Sequence, residues 1–182
     1  MMQNRTTPQA GVAPGTMILT AGGERPIEAL APGQMLVTLS GRGAPLKPIR
    51  ALRRAAGPAI RLRAGALGPM LPLRDLLLGA GQWLRCEAML LPAGLLAGAS
   101  GGILAEPEAA LIAIELEAHD LVVGEGTPLA ALPLPHPASP PEPGLLAALR
   151  ASLARRATLG AAPHPAAAAL DRLIGMPEPP HG

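Results

Sequence analysis

A chain of 182 residues with one aromatic side chain, Trp83, and no Phe or Tyr must build its core from Leu, Ala, Ile, Val and Met. Hydrophobic residues make up 49% of the chain, so a core is available. It lacks the large buried area that each aromatic contributes, and looser packing than usual is expected. This length suits one domain, with room for an appendage. From Thr16 to about Leu132 the apolar segments are short and are separated by Gly, Pro and polar turn residues. That pattern predicts an all-β domain.

Met17-Ile18-Leu19 reads as a short strand, followed by a tight turn at Ala21-Gly22-Gly23-Glu24. A turn or single helical turn is expected from Glu28 to Pro32-Gly33. Met35–Leu39 and Leu46–Arg50 flank Ser40-Gly41-Arg42-Gly43, a hairpin by composition. Ala59-Ile60-Arg61-Leu62-Arg63 alternates strictly, with Ile60 and Leu62 on one face and both arginines on the other. Ile112, Ile114 and Leu116 alternate in the same way with Ala113, Glu115 and Glu117. Leu121-Val122-Val123 is a short buried strand stopped by Gly124-Glu125-Gly126, and residues 92–98 suit a short helix.

Beyond Leu132 the character changes, since eleven of the 23 prolines lie there. Residues 133–144 read as an extended linker, because each Pro fixes its own φ and restrains the residue before it. Leu145, Leu146, Leu149, Leu153 and Leu159 then mark an amphipathic helix over residues 145–159, with a stop at Gly160. Arg155 and Arg156 suit its C-terminal dipole. The expected organisation is a disordered leader over 1–10, a β domain over 11–132, the linker over 133–144, and a helix with an Ala/Pro-rich tail over 145–182.

A formal charge of +2 names no partner, but the charges are segregated. No acid lies between Ala29 and Arg74, and no Lys or Arg lies between Cys86 and Leu149. Two complementary faces of one fold are the simplest expectation. Nucleic-acid binding through the basic stretch from Arg42 to Arg63 is the lesser one, because that stretch has no aromatic for base stacking. A protein partner on the helix residues Leu145 to Leu159 is the other binding possibility. No signal peptide and no apolar run of spanning length is present, so a cytoplasmic protein that does not enter a membrane is expected.

Little in the chain suggests catalysis on its own. One cysteine, Cys86, leaves no internal disulfide. His136, His164 and His181 lie in the Pro-rich tail, so only His119 belongs to the β domain. One His among scattered acids indicates no metal site, and no phosphate-cradling loop indicates a cofactor. A Cys86–His119 nucleophilic pair would need an exposed, electropositive setting. A lone Cys in so apolar a chain reads instead as buried and inert.

Several ordered blocks carry more information. Pro14-Gly15-Thr16-Met17-Ile18, then Gly23-Glu24-Arg25-Pro26-Ile27-Glu28-Ala29-Leu30-Ala31-Pro32-Gly33, resembles the opening of bacterial Hint (Hedgehog/intein) domains. Arg61–Gly68, Leu71–Leu76, Leu91-Pro92-Ala93 and His119-Asp120-Leu121-Val122-Val123 with Glu125-Gly126 are similar to later blocks of that family, in the right order. The resemblance covers about residues 11–132. It implies a compact fold of hairpins and autocatalytic cleavage by an N–S acyl shift. A Cys at the first position would attack the preceding carbonyl to form a thioester. A Ser/Thr-x-x-His element would donate a proton to the departing amide nitrogen.

Counting from these blocks, the nucleophile position falls at Gly11 and the Ser/Thr-x-x-His element at Gly79-Ala80-Gly81-Gln82. Glycine carries no nucleophile, and Gln82 has no titratable proton near neutral pH. The resemblance therefore implies a degenerate, inactive member of the family. Gly11 and Gly79 read otherwise as flexible turn positions. His119 reads either as a strand-end residue bonded to backbone or as a remnant of the site.

Overall fold

The computed structural model describes residues 9–39, 46–134 and 141–160. The fold is mostly β. Strands β1 (Met17–Thr20), β2 (Gly23–Pro26), β3 (Met35–Val37) and β4 (Leu46–Pro48) come first, with a 3₁₀ turn at Ile27–Ala29. Two long strands follow, β5 (Ala51–Leu62) and, later, β9 (Ile103–Glu115). Between them lie β6 (Leu76–Gly79), β7 (Trp83–Cys86), β8 (Met89–Pro92) and a 3₁₀ turn at Ala93–Leu96. Strands β10 (Leu121–Gly124) and β11 (Thr127–Ala130) complete the sheets, and helix α1 (Pro143–Gly160) ends the described chain.

One sheet runs β4-β3-β1-β10-β11-β7-β8, with β2 paired to β1 beside that path. The other runs β6-β5-β9. Val12 bridges Leu78 of β6 on one side and Ile112 of β9 on the other, so the N-terminal segment closes the smaller sheet. The β5–β9 pairing shifts register between Gly57 and Ala59. Pro58 sits at that bulge, where a residue without an N–H is tolerated.

The alternation at 59–63 holds: Ile60 and Leu62 are buried, Arg61 is half-buried and Arg63 exposed. The alternation near the end of β9 is incomplete. Leu111, Ile112, Ala113 and Ile114 are all buried, because the strand lies between β5 and the inserted N-terminal segment. Residues 92–98 contain the 3₁₀ turn in place of a longer helix. Strands β3 and β4 pair as expected, while the turn at 40–43 lies outside the described residues.

The expected helix forms, and Pro143 at its first position suits the fixed φ of proline. Leu149 and Leu153 are buried in the common core and Leu146 packs against it. Arg150 donates to the Leu95 carbonyl at 2.7 Å. The face offered by sequence to a protein partner is therefore largely spent on the chain's own β domain, while Leu145 stays exposed. Arg156 reaches Glu87 at 2.7 Å and the Leu67 carbonyl at 3.2 Å, rather than its own helix end.

Charge segregation resolves into pairs across the two stretches. Lys47 meets Asp120 at 2.6 Å, Arg53 meets Glu115 at 2.6 Å and Arg61 meets Glu106 at 2.7 Å. Arg53 is the first cause that holds the Glu115 carboxyl below its ordinary range, through its hydrogen bond. Much of the basic stretch is thus neutralised by neighbouring strands, which removes charge from any nucleic-acid surface.

Candidate functional site

The N-terminal segment lies as an extended run of backbone between β6 and β9. Val12 exchanges hydrogen bonds with Ile112 at 2.9 and 2.8 Å, and the Ala13 N–H donates to the Leu77 carbonyl at 2.8 Å. The Gly11 carbonyl accepts from Gly79 at 2.9 Å, and the Gln9 carbonyl from Gly81 at 3.1 Å. The Pro14-Gly15 turn fixes where this run ends. Gly15 adopts a φ of 86°, and the Thr16 hydroxyl donates to the Ala13 carbonyl at 2.7 Å. Glu28 accepts from the Gly15 N–H at 2.7 Å, the main cause of its lowered pKa. Blocks that the sequence presents as motifs are therefore the turn and its cap.

Gly11 and Gln82 meet. The Gly11 N–H donates to Gln82 Oε1 at 2.8 Å, in a buried setting. Gln82 Nε2 donates to the Trp83 and Ala130 carbonyls, each at 2.8 Å. Two carbonyl acceptors require the NH₂ end of the amide there, so the oxygen must face Gly11. Gln82 is 3% exposed and all these groups are satisfied. A carbonyl oxygen facing a peptide N–H stabilises that peptide as an amide. It offers the nitrogen no proton, which cleavage of the Ala10–Gly11 bond would need.

The two glycines are not flexible turn positions. Gly11 has a φ of 122°, and a Cβ there would lie 2.8 Å from the Ile112 carbonyl carbon. Gly79 belongs to β6, and a Cβ there would collide with the Gln9 carbonyl oxygen and lie 2.9 Å from Leu111 Cδ1. Side-chain space at both positions is filled by backbone. The remaining cavity beside Gly11, Gln82, Ile18 and Ile112 is about 10 Å³, at the lower limit for a single water.

His119 is not hydrogen-bonded to backbone through Nδ1. That atom is buried just ahead of β10 and has no hydrogen-bond partner among the described residues. It does not line the cavity at Gly11 and Gln82. Cys86 is buried in β7, with its thiol pKa pushed up to about 11, first by burial and then by the Glu87 charge, against the opposing effect of Arg156. Its electrostatic neighbours are those two residues. His136, His164 and His181 lie outside the described residues.

Sequence reasoning placed Glu125 in a family block but gave it no role. This carboxylate, 3% exposed, accepts from the Met17 N–H at 2.8 Å and from Arg74 at 2.6 Å, while Arg74 also reaches Glu24 at 2.9 Å. The visible signal was a charged residue between two glycines at the end of an apolar run.

A family model described as the Hint domain matches residues 10–132. The chain belongs to the Hint-domain family. Among solved structures, the gp41-1 intein is similar to this Hint domain over 66% of the chain and 98% of its own, at 11% identity and a TM-score of 0.52. An Ssp DnaB mini-intein variant is similar over 72% of this chain and 98% of its own, at 10% identity and a TM-score of 0.50. A bacterial intein-like domain from Clostridium thermocellum covers 69% of this chain and 99% of its own, at 18% identity and a TM-score of 0.47. At these identities the likeness to the first two, whose TM-scores are 0.50 or above, speaks for the fold alone. No functionally curated protein matches the sequence.

Proposed function

We propose that this protein is a Hint domain that does not cleave itself, and that its former reaction centre now holds its own N-terminal segment as a structural strand. The observation that carries this reading is the 2.8 Å hydrogen bond from Gly11 N–H to Gln82 Oε1. At the position that family resemblance gives to the nucleophile there is no side chain. At the position it gives to the acid there is a neutral amide, turned with its acceptor toward the peptide. General acid help is worth about 10²- to 10⁴-fold, and the missing nucleophile removes the acyl shift altogether.

The test is incubation of the full chain, with a reporter protein fused ahead of Met1, in a thiol and separately in hydroxylamine. Both intercept thioesters. The expected result is an unchanged intact mass; release of a reporter fragment ending at Ala10 overturns the reading. Restoring chemistry is harder than the residue types suggest. Gly11→Cys with Gln82→His supplies both groups, but a Cys at φ 122° strains the backbone and its Cβ meets Ile112. The double variant is expected to lose stability and to stay inert.

A further inference from the structure

We propose that a second, open cleft on this domain binds the phosphate group of a small ligand, with Arg63 supplying the main charge. The cleft has a volume of about 500 Å³ and lies between residues 63–66, the turn Ser100-Gly101-Gly102 and the last described turns of α1 at Arg156 and Ala157. Sites for small molecules have volumes of roughly 300–1,000 Å³. Three observations point to an oxyanion.

Arg63 is exposed and makes no ion pair among the described residues, unlike Arg53 and Arg61 on the same stretch of chain. Arg156 is already held in place by Glu87 and by the Leu67 carbonyl, so little side-chain entropy remains to be lost there on binding. The Ser100 hydroxyl is buried and has no hydrogen-bond partner among the described residues. Serine has three staggered χ1 positions, so this unused donor can turn to a ligand at small cost. Of the nearby acids, Glu87 is paired with Arg156, while Asp75 accepts from the Ala64 N–H at 2.9 Å and keeps its charge, so the attraction for an anion rests on Arg63.

The loops come together because residue 102 is glycine. A Cβ there would lie 3.2 Å from that of Ala66, and the Arg63 N–H donates to the Gly102 carbonyl at 2.8 Å. At Gly101 a Cβ would meet nothing within 4 Å, so the turn faces open space. Planar guanidinium groups suit phosphate oxygens through paired N–H donors.

The experiment is titration of the full chain with inorganic phosphate, followed by backbone amide chemical shifts. Sodium chloride at matched ionic strength is the control. Saturable shifts at residues 64–66 and 100–102, in the millimolar range or tighter, are expected. Arg63→Gln should weaken binding about tenfold and Ser100→Ala by a smaller factor. Arg25→Gln, an exposed arginine on β2, should leave it unchanged. Shifts that do not saturate, that chloride reproduces, or that survive Arg63→Gln at unaltered affinity would overturn the proposal.

Discussion

Around Gly11 and Gly79 the chain's own backbone occupies the space that side chains would take, while around Gly101 a would-be Cβ meets nothing within 4 Å. The first region is buried, almost without voids, and its polar groups are paired. The second is open, carries an arginine with no ion pair among the described residues, and leaves a serine hydroxyl unused. Family resemblance would direct a search for function to the first. Physical chemistry directs it to the second, because a site that can act on a ligand needs room and unsatisfied groups. Gly11 and Gln82 leave no sizeable hole between them, because the N-terminal segment fills the space.

The largest effect that could break this contrast is Gly79→Ala. The added methyl would collide with the Gln9 carbonyl oxygen and lie 2.9 Å from Leu111 Cδ1. Residues 9–11 must then leave their place, with loss of the hydrogen bonds at Gly11, Gly79 and Gln82. Overpacking of a well-filled core costs about 1–3 kcal/mol, and displacing a strand adds to it. A loss of at least about 3 kcal/mol by urea unfolding is expected. A variant as stable as the parent would mean that the segment is only loosely held.

Leu153→Ala probes the other side. Leu153 is fully buried where α1 docks, and Leu-to-Ala changes at such positions cost about 2–5 kcal/mol. Because α1 walls the open cleft, this variant should also lose phosphate binding while amide-exchange protection at Gly11 persists. Equal loss of protection at Gly11 would show that the two regions open together.

The sequence carried some of this plainly. Strict alternation at Ile60 and Leu62 gave a strand and its buried face, and the leucine spacing gave α1. The long partners β5 and β9 were legible only in part. Residues 53–58 and 105–109 hold Arg-Arg, Gly-Pro and Glu-Pro-Glu, which break any apolar period, and pairing between strands supplies what local pattern lacks. At the site, counting along the blocks led to Gly11 and Gln82, and the structure brings the two within a hydrogen bond. What could not be read was the reason for glycine. A φ of 122° and a collision with Gln9 are tertiary facts, invisible in a run of small residues. The cleft was equally hidden, since Arg63, Ser100 and Arg156 are brought together only by the fold.

Cys86 sharpens the comparison through pH. Its thiol has a pKa of about 11 in the folded chain, raised by burial from an ordinary value of 9.0. A raised folded value means that this contribution to stability is complete below about pH 9 and declines as pH rises toward 11. Urea midpoints should fall over that range, and Cys86→Ala should flatten the fall. Native protein at pH 8 should react slowly with iodoacetamide. Rapid native labelling would show that the region beneath Arg156 opens readily.

The smallest expected effect is the most discriminating control. Gly101→Ala makes at the open cleft the same chemical change that Gly79→Ala makes against the N-terminal segment. The new methyl meets nothing within 4 Å, and Gly101 has no positive φ. With no clash to relieve, the change acts mainly on the unfolded chain, whose conformational freedom alanine reduces. Stability should therefore be unaltered or raised, by no more than about 1 kcal/mol. Urea midpoints of the two variants, compared in one experiment, separate close packing from a general intolerance of substitution at glycine. If Gly101→Ala destabilised the domain as strongly as Gly79→Ala, the turn at 100–102 would have to be as tightly enclosed as Gly79 is, and the open cleft would not exist.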